Sequence, residues 1–503
     1  MTADPEAVVI GSGPNGLVAA CLLAIQGLRV DVIETNPRHP GGAVASAELT
    51  VPGFVHDVGA TFFPFARLSP AFAALDLEAR GITWCNARFE TCHVTRGDEH
   101  CCVARYSGAP NSKFADAEDA ARWERLAQWA AEIAEALFES LWRPFPSWPR
   151  LGLRDALRVA AIFARSGRHL AHRNFRSEPA RCLWPALALH TDVGPDDALG
   201  AGIGFALGVA ASAVGFPVPQ GGAQRITNAL VRLLERHGGR LHLGTRAVRI
   251  VVSRGRAVAV RTADGTEIPA ERAVLVDTSA PSLLVDLLEA RTVPRWVRRR
   301  MERFTSGWGT FKVDWALTDA VPWLAEGARQ SAVVHTGESL EDLARFTTEV
   351  RDGRLPTSPF LVVGQPSLLD PSRAPPGHHT LSAYTHVPTG TTAQWDADRE
   401  HFADRIEASI ERLAPGFQSS ILGRHLATPR DLERSNANLL GGDIGGGSAR
   451  WYHQLCFRPL FPFFRYQMPV RNVVLCSSYA HPGGGVHGMC GFNAARRVLA
   501  HLR

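Results

Sequence analysis

AVVIGSGPNGLVAACLLAIQGLRVDVIET, residues 7–35, begins with an apolar run, continues through a glycine-rich turn and reaches an acidic residue, Glu34, just before its end. Residues 7–10 are short and apolar, as expected for a buried parallel strand. Residues 17–25 are predicted to form a helix, and residues 28–33 a second buried strand followed by Glu34. The turn between the first strand and the helix carries G-x-G-x-x-G spacing at Gly11, Gly13 and Gly16.

Each glycine of this turn has a distinct physical role. Gly11 allows the tight strand-to-helix turn, Gly13 lets the backbone approach a pyrophosphate, and Gly16 lets the helix pack closely on the strand. The N-terminus of the helix offers N–H groups and the positive end of its dipole to phosphates. Glu34 can accept hydrogen bonds from ribose hydroxyls. A glycine fingerprint set between strand, helix, strand and acid therefore predicts a dinucleotide-binding unit.

The composition is that of a folded protein with more than one domain. At 503 residues the chain exceeds one ordinary core, so two domains are expected. The net charge of +5 is modest for this length, so no nucleic-acid partner is expected. The nine cysteines are scattered without metal-ligand spacing, which indicates a cytoplasmic location and no metal site.

A basic stretch at residues 143–181 follows a predicted helix at residues 117–142. Arg154, Arg158 and Arg165 share one helical face in this stretch, whereas Leu153 and Leu157 contribute to another. A solvated face is the interpretation that we favour. The alternative is an interfacial helix that docks on anionic lipid, which makes a membrane surface a candidate partner. The uncharged, glycine-interrupted run at residues 198–219 is predicted to be buried or to line a pocket.

Two later segments, like residues 7–35, combine predicted strands and a helix with a glycine-rich turn. Residues 215–241, GFPVPQGGAQRITNALVRLLERHGGRL, predict a glycine turn and a helix that ends at Gly238 and Gly239. Short β-runs at 247–252, 257–261, 267–268 and 273–276 then predict a meander of hairpins. The C-terminal residues 471–502 predict a strand, a glycine-rich turn and a helix.

In this order the segments resemble the phytoene-desaturase-like FAD oxidoreductases, which include carotenoid desaturases and retinol saturases, within the amine-oxidase-type flavoprotein superfamily. The resemblance covers nearly the whole chain and rests on the fingerprint and on GFPVPQGG, GWGTFKVDWAL (307–317), FLVVGQPSLLDPSRAP (360–375), NLLGGDIGGG (438–447) and HPGGGVHGMCG (481–491). It implies an α/β fold with a discontinuous, Rossmann-like FAD-binding domain of the glutathione-reductase type, intertwined with an α+β substrate-binding domain. The FAD-binding domain would comprise residues 1–70, 215–285 and 455–503, and the substrate-binding domain residues 71–214 and 286–454.

The resemblance also implies noncovalent FAD and assigns residues to it. Glu34 would meet the adenosine ribose, and Val248 would meet the adenine through its backbone. Ser477 departs from the family pattern, where glycine is usual. The implied cofactor-binding residues are Gly11, Ser12, Gly13, Pro14, Asn15, Gly16, Glu34, Arg38, Gly41, Gly42, Gly59, Ala60, Val248, Ser478, Gly484, Gly485 and Val486.

Lys312 is the first catalytic candidate. In the superfamily a lysine in the corresponding strand commonly holds a water against flavin N5, and an ammonium there stabilises negative charge on the reduced flavin. The alternative places Lys312 on the solvent face of a strand. His386, Asp443 and His487 are weaker substrate-side candidates, because a lone polar residue is more often structural.

The leading hypothesis is desaturation or saturation of carbon–carbon bonds in an apolar, isoprenoid-like or polyene-like substrate. Trp308, Phe311 and Trp315, together with the run at residues 198–216, are expected to line its tunnel. The alternative is that these aromatic residues belong to the core, as is more common for aromatic residues at strand spacing. The open alternatives are a redox-neutral isomerase, an amine or alcohol oxidase, and a flavin-binding interaction protein without catalysis. No second glycine fingerprint occurs in a strand–helix–strand context, so oxygen or a quinone is favoured as electron acceptor over bound NAD(P).

Overall fold

The computed structural model describes residues 4–147, 149–389 and 395–502. The strands in this part of the chain are β1 (Ala7–Ile10), β2 (Val30–Ile33), β3 (Ser46–Glu48), β4 (Val55–Asp57), β5 (Trp84–Cys85), β6 (Phe89–Val94), β7 (His100–Val103), β8 (Lys113–Phe114), β9 (Val218–Pro219), β10 (Arg240–His242), β11 (Ala247–Ser253), β12 (Arg256–Thr262), β13 (Glu267–Pro269), β14 (Ala273–Val276), β15 (Gly309–Leu317), β16 (Ser331–Thr336), β17 (Val362–Gly364), β18 (His379–Val387), β19 (Ile421–Ala427) and β20 (Val473–Leu475).

The α-helices of the described residues surround these strands. They are α1 (Pro14–Ile25), α2 (Pro64–Leu68), α3 (Pro70–Leu75), α4 (Ala117–Trp142), α5 (Leu153–Phe163), α6 (Gly167–Asn174), α7 (Glu178–Ala188), α8 (Ala201–Ala213), α9 (Gln224–Arg236), α10 (Arg295–Glu302), α11 (Leu340–Arg351), α12 (Pro366–Leu369), α13 (Trp395–Leu413), α14 (Pro429–Ser435) and α15 (Met489–Leu502). None of the helices described is both long and apolar enough to cross a membrane.

A parallel sheet with the order β10-β2-β1-β14-β20 forms the first layer. Its strands come from three separate segments, which fall within residues 1–70, 215–285 and 455–503. β1 lies in the middle and is fully buried because α1, α9 and α15 pack together over the sheet. This layer brings the amino-terminal fingerprint and the C-terminal glycine turn into one unit, although more than 450 residues separate them in sequence.

One strand of the predicted meander belongs to a different sheet. β11, β12 and β13 form the antiparallel meander, but β14 pairs in parallel with β1, Val8 opposite Val274. The prediction that residues 273–276 continue the hairpins is therefore wrong. The physical reason is that all four residues of β14 are apolar and buried, as in a strand covered on both faces, whereas meander strands keep one polar face.

The second layer is an eight-stranded mixed sheet with the order β19-β15-β18-β17-β16-β6-β7-β8. Side chains alternate along β15, so Thr310 and Lys312 face the inside of the molecule, whereas Phe311 and Trp315 face the opposite side. There they pack with α13 in a separate hydrophobic core. The expectation that Phe311 and Trp315 line the substrate tunnel is thus wrong. Trp308 precedes the strand and does line the interior cavity.

A buried ion-pair cluster holds the motifs between the two layers together. Arg373 is fully buried and contacts Asp57 at 2.8 Å and Asp370 at 3.0 Å. These carboxylates also accept hydrogen bonds from the N–H groups of Ala223 and Gly221, at 2.8 and 2.7 Å. The PVPQGG turn and the start of α9 are therefore positioned by residues of the DPSRAP motif, more than 100 residues away in sequence.

Candidate active site

One cavity of about 2040 Å³ runs between the two layers. Ligand pockets commonly measure about 300–1,000 Å³, so this volume has room for a dinucleotide and a second molecule. Nearly all the predicted site residues lie on its wall: every predicted cofactor-binding residue except Gly16 and Gly41, and all four catalytic candidates. A Cβ atom at Gly16 would lie 2.3 Å from the Gly11 carbonyl oxygen, and one at Gly41 would lie 2.5 Å from that of Val44. These two glycines therefore act by allowing close packing behind the wall.

The glycine fingerprint forms the wall at one end of the cavity. Gly11 has φ +98°, a conformation that favours glycine. A Cβ atom at Gly13 would lie 2.5 Å from Oδ2 of Asp277, and this oxygen accepts a hydrogen bond from Gly16 N–H at 2.8 Å. Burial raises the pKa of Asp277 well above its ordinary value. The raised pKa reduces the negative charge of Asp277 beside the N-terminus of α1, whose N-cap residue Gly13 supplies no side-chain cap, and this suits an anionic ligand.

Acidic and basic groups flank this end of the cavity. Glu34 accepts hydrogen bonds from the N–H and the hydroxyl of Ser12, at 2.9 and 2.6 Å, at the carboxyl end of β2. Arg38 is exposed on the cavity wall, and its guanidinium has no ion pair or hydrogen bond to the described residues. Val248 lies at an irregularity of β11 and has no residue opposite it in β12. These groups are available to a ribose, a phosphate and a base edge respectively.

The C-terminal glycine turn is packed against a fixed aromatic wall. Gly485 has φ +107°, and a Cβ atom there would lie 2.8 Å from Cδ2 of Phe65. The Phe65 ring packs against those of Phe138 and Trp142, with centroid distances of 5.5 and 5.9 Å. The turn at residues 484–486 thus lines the cavity at a position set by contact with the Phe65 ring, which lines the same cavity.

Asp443 organises the glycine-rich loop opposite this turn. Its carboxylate accepts hydrogen bonds from the N–H groups of Gly307, Gly445 and Gly447, each at 2.7 Å. Burial nevertheless raises the pKa of Asp443. The buried guanidinium of Arg458 donates to two carbonyls of the same loop at 2.8 and 2.9 Å. These contacts describe a loop-organising residue, and the catalytic role of Asp443 stays a prediction.

Lys312 lies on the cavity face of β15 and is 8% exposed. Its ammonium contacts both carboxylate oxygens of Asp314 at 2.5 Å. Burial favours the neutral acid, but the ammonium and the neighbouring His425 and His56 hold the pKa of Asp314 below its ordinary value. Lys312 is therefore half of a buried ion pair, which excludes the alternative of a solvent-facing side chain. Its role at flavin N5 stays a prediction.

The histidines around the cavity are neutral because they are buried. Burial lowers the pKa of His487 to about 3, and its Nδ1 accepts a hydrogen bond from Met489 N–H at 3.0 Å. Burial also lowers the pKa of His386, which is 2% exposed. Neither ring nitrogen of His386 has a hydrogen-bond partner in the described part of the chain. His487 thus caps the start of α15, whereas His386 presents unused polar atoms at the cavity.

Three residues of the site were not predicted from the sequence. Asp277 directly follows a buried strand, and the carboxyl ends of parallel strands meet at one edge of a sheet, so its position could have been found. His190 and Tyr384 line the cavity at points 194 residues apart and form a hydrogen bond of 2.9 Å. No local motif marks either of them.

These residues fit a flavin dinucleotide. The open helix N-terminus and Arg38 suit the pyrophosphate, Glu34 suits a ribose, and the backbone turn at residues 484–486 suits a planar ring. A family model described as flavin containing amine oxidoreductase matches residues 15–499. The chain belongs to the flavin containing amine oxidoreductase family.

Individual relatives align with this protein over nearly the whole chain. Pyridine nucleotide-disulfide oxidoreductase domain-containing protein 2 of Mus musculus is 27% identical, over 99% of this chain and 94% of that protein. Phytoene desaturase (neurosporene-forming) of Rhodobacter capsulatus is 26% identical, over 97% of this chain and 92% of the relative. The solved structure of putrescine oxidase bound to putrescine superimposes with a TM-score of 0.63 at 16% identity, covering 100% of this chain and 99% of that one.

Family membership settles the cofactor and the general chemistry. FAD is the cofactor, and the protein is an oxidoreductase. The predicted resemblance and the Rossmann-like FAD fold are confirmed.

Proposed function

We propose that the protein introduces or removes a carbon–carbon double bond in an apolar, isoprenoid-like or polyene-like substrate. Bound FAD supplies the acceptor or donor of hydride for such a reaction. The observation that carries the proposal is the continuity of the cavity, whose wall runs from the glycine turn at residues 484–486 along apolar helices to an apolar mouth. The carotenoid desaturases among its relatives support the same substrate class.

The middle of the cavity is lined by small and apolar side chains of α8. Ile203, Ala206 and Leu207 line it from one face of this helix, and Trp308 lines it from the start of β15. The glycines of α8 allow this helix to lie close to its neighbours, because a Cβ atom at Gly204 would lie 2.1 Å from the carbonyl oxygen of Trp184. Such a wall excludes water and binds a hydrocarbon chain through buried area, at about 25 cal/mol per Å².

The charged groups beside this wall are largely satisfied within the protein, by ion pairs or by hydrogen bonds. Lys312 pairs with Asp314, and Arg351, which lines the cavity, pairs with Asp197. Asp443 accepts three backbone hydrogen bonds. A polyamine substrate needs a carboxylate that is free to pair with an ammonium group. This distribution of charge favours an uncharged substrate over an amine.

The mouth of the cavity favours delivery from a lipid surface. Leu199, Trp451 and Leu455 line the cavity and are exposed. On α5, Leu153 and Leu157 are 78% and 63% exposed. They lie at helical spacing from Ala160 and Ala164, which line the cavity. We propose that this face docks on anionic lipid, together with the arginines of residues 143–181 that form no ion pair with the described residues, which are Arg154, Arg158, Arg165 and Arg173. The cytoplasmic location stays a prediction.

Liposome co-sedimentation at low salt tests the docking face. Vesicles that contain anionic lipid are expected to pellet the protein, and Leu153→Asp with Leu157→Asp should abolish pelleting because two charges replace the apolar contact. Leu422→Asp is the matched control, since Leu422 is 47% exposed on β19 and does not line the cavity. Absence of lipid-dependent pelleting by the unmodified protein contradicts the docking proposal.

The electron acceptor that we propose is oxygen or a quinone, and Lys312 is the residue proposed to govern reaction with oxygen. Its buried ammonium lies on the cavity face, where it favours development of negative charge nearby. Lys312→Met is expected to slow reoxidation of the reduced holoprotein by air in stopped-flow measurements. Unchanged reoxidation kinetics contradict this role.

Anaerobic flavin reduction tests the proposed activity itself. Lipid-extract fractions and pure polyenes are mixed with the holoprotein, and the visible band of the oxidised flavin is followed. Bleaching by an isoprenoid or polyene fraction, with a product that differs by two hydrogens, is the expected result. Because saturation of a double bond consumes reduced flavin, the same fractions are also mixed anaerobically with holoprotein whose flavin has been reduced beforehand, and return of the visible band is followed. A response to putrescine but to no lipid fraction would overturn the substrate class. Failure of every fraction both to bleach the oxidised flavin and to reoxidise the reduced flavin would favour a non-catalytic flavoprotein.

A further inference from the structure

A cluster of polar side chains interrupts the apolar wall of the cavity at one place. We call it the polar patch and define it as Thr310, Tyr384, His386 and His190, all of which line the cavity. The register of the eight-stranded sheet brings three of them together, because Thr310 lies opposite His386 and Lys312 lies opposite Tyr384. Paired residues on neighbouring strands point to the same face.

Two members of the polar patch have unused hydrogen-bonding atoms. Oγ1 of Thr310 and both ring nitrogens of His386 are buried without a well-formed hydrogen bond to the described residues. Backbone carbonyls of Gly309, His190 and Leu189 lie near the His386 ring and oppose the lowering of its pKa by burial, but their geometry does not meet that of a full hydrogen bond. His386 packs between the rings of Trp308 and Tyr384, with centroid distances of 5.8 and 5.9 Å, which holds its plane in place. A buried polar atom without a partner costs free energy, so these atoms indicate a ligand that supplies the missing hydrogen bonds.

The other two members belong to a hydrogen-bonded chain that extends behind the wall. The Tyr384 hydroxyl contacts Nδ1 of His190 at 2.9 Å, and Nε2 of His190 contacts Nε2 of His335 at 2.8 Å. Nδ1 of His335 contacts the hydroxyl of Thr91 at 2.9 Å. Burial lowers the pKa of His190 to about 3 and keeps His335 neutral as well, so each ring carries one proton.

This chain can run in either direction because neutral imidazole has two tautomers. In one direction Tyr384 donates to His190 and offers only its oxygen lone pairs to the cavity. In the other direction Thr91 donates to His335, His335 to His190, and His190 to the phenol oxygen, which leaves the Tyr384 O–H free to donate into the cavity. The polar patch therefore accommodates either a hydrogen-bond donor or an acceptor without gaining charge.

The charges near the polar patch are largely satisfied within the protein. Lys312 and Arg351 are paired with Asp314 and Asp197. Asp192, whose charge acts on His386, forms no ion pair with the described residues, but it accepts hydrogen bonds from the Ser448 hydroxyl and the Ala449 N–H. Arg450, on the same wall, also forms no ion pair with the described residues and contacts the Tyr452 hydroxyl. Because the acidic groups here are hydrogen-bonded and two of the cations are paired, the surroundings favour an uncharged ligand group over an ionic one.

We propose that the polar patch binds an uncharged oxygen function, a hydroxyl or a carbonyl, on an otherwise apolar substrate. The inference rests on the proposed function and narrows its substrate class from a hydrocarbon to an oxygenated lipid. Hydrogen bonds from His386, Thr310 and Tyr384 to this oxygen fix how far the chain enters the cavity. The oxygen thereby selects which carbon–carbon bond lies beside Lys312.

Binding of matched small isoprenoids to the holoprotein tests the polar patch without any turnover. Geraniol and its deoxygenated hydrocarbon share one carbon skeleton, and geranylamine and geranic acid carry opposite charges on it. Titration followed through the flavin difference spectrum is expected to show geraniol binding about 2- to 12-fold more tightly than the hydrocarbon for each hydrogen bond gained. Geranylamine and geranic acid should bind more weakly than geraniol. Equal affinity for geraniol and the hydrocarbon, or tighter binding of either charged probe, overturns the proposal.

Three near-isosteric variants link the preference to the named residues. His386→Phe, Tyr384→Phe and Thr310→Val should each lower the ratio of geraniol to hydrocarbon affinity while hydrocarbon affinity persists. Tyr106→Phe is the matched control, because Tyr106 does not line the cavity. An unchanged ratio in all three variants overturns the proposal, and flavin content and melting temperature show that each variant is folded.

The two proposals fail in different ways. Flavin bleached by a hydrocarbon polyene, with no preference for geraniol, refutes the polar patch and leaves the proposed function standing. A geraniol preference that depends on His386, in a holoprotein whose flavin no lipid reduces or reoxidises, supports the polar patch and refutes the proposed function.

Discussion

Gly485→Ala perturbs the C-terminal glycine turn at its tightest point. Alanine at φ +107° is strained, which costs about 1–2 kcal/mol of folding stability. Its Cβ atom would also lie 2.8 Å from the Phe65 ring. That ring cannot move aside easily, because Phe138 and Trp142 pack against it. Overpacking of this kind costs about 1–3 kcal/mol, and we expect it to shift the turn relative to the Phe65 ring, which lines the same cavity.

This displacement should weaken FAD binding as well as stability. If the whole packing cost of about 1–3 kcal/mol is lost from the free energy of FAD binding, the Kd for FAD rises roughly 5- to 150-fold. Titration of apoprotein with FAD, followed by quenching of flavin fluorescence, measures this ratio. Gly27→Ala is the control, because Gly27 has φ +86° with no atom within 4 Å of the added Cβ and lies away from the cavity. It should lose a similar 1–2 kcal/mol of stability and keep its affinity for FAD. Equal FAD affinities for the Gly485→Ala and Gly27→Ala proteins would refute the placement of the turn.

Three other perturbations test the ionisable groups. FAD affinity should fall as pH rises through the raised pKa of Asp277, because its carboxylate then repels the pyrophosphate. In the Asp277→Asn protein, the FAD affinity measured by the same titration should not change with pH. An FAD affinity of the unmodified protein that does not change with pH would contradict this prediction. Arg373→Leu leaves two buried carboxylates without their cation and should lower the free energy of unfolding by about 3–5 kcal/mol. Urea denaturation measures this free energy, and a decrease of less than about 1 kcal/mol would contradict the prediction. Buried histidines with pKa values of about 3 to 4 stay neutral in the folded state and gain protons on unfolding, so stability should fall by about 1.4 kcal/mol per histidine and pH unit from about pH 6.5 downwards. Melting temperatures that stay constant from pH 7 to about pH 4.5 would contradict the burial of these side chains as neutral groups.

Features with a local signature could be predicted from the sequence. The glycine fingerprint and Glu34 form one short strand–helix–strand unit, so their spacing alone places them at one end of the cavity. The helix predicted at residues 117–142 matches α4, because its apolar residues repeat with the helical period over seven turns.

Features that depend on pairing between distant strands could not be predicted. The uninterrupted apolar run of β14 favours a strand covered on both faces, but four residues directly after a series of hairpins do not show which strand they pair with, and only the position of β1 decides this. In β15 both faces are buried, so alternation separates Lys312 from Phe311 without indicating which face lines the cavity. The polar patch requires the register of β15 with β18 and the position of His190 at the end of α7, and neither is encoded within a single segment.

The most direct test of the central claim is the flavin content of the purified protein. If residues from all three segments close around one dinucleotide, protein expressed with ample riboflavin should carry one noncovalent FAD per chain and release FAD on denaturation. Gly13→Ala, which places a methyl group 2.5 Å from Asp277, should lower that content. A colourless protein that cannot be reconstituted with FAD would contradict the account.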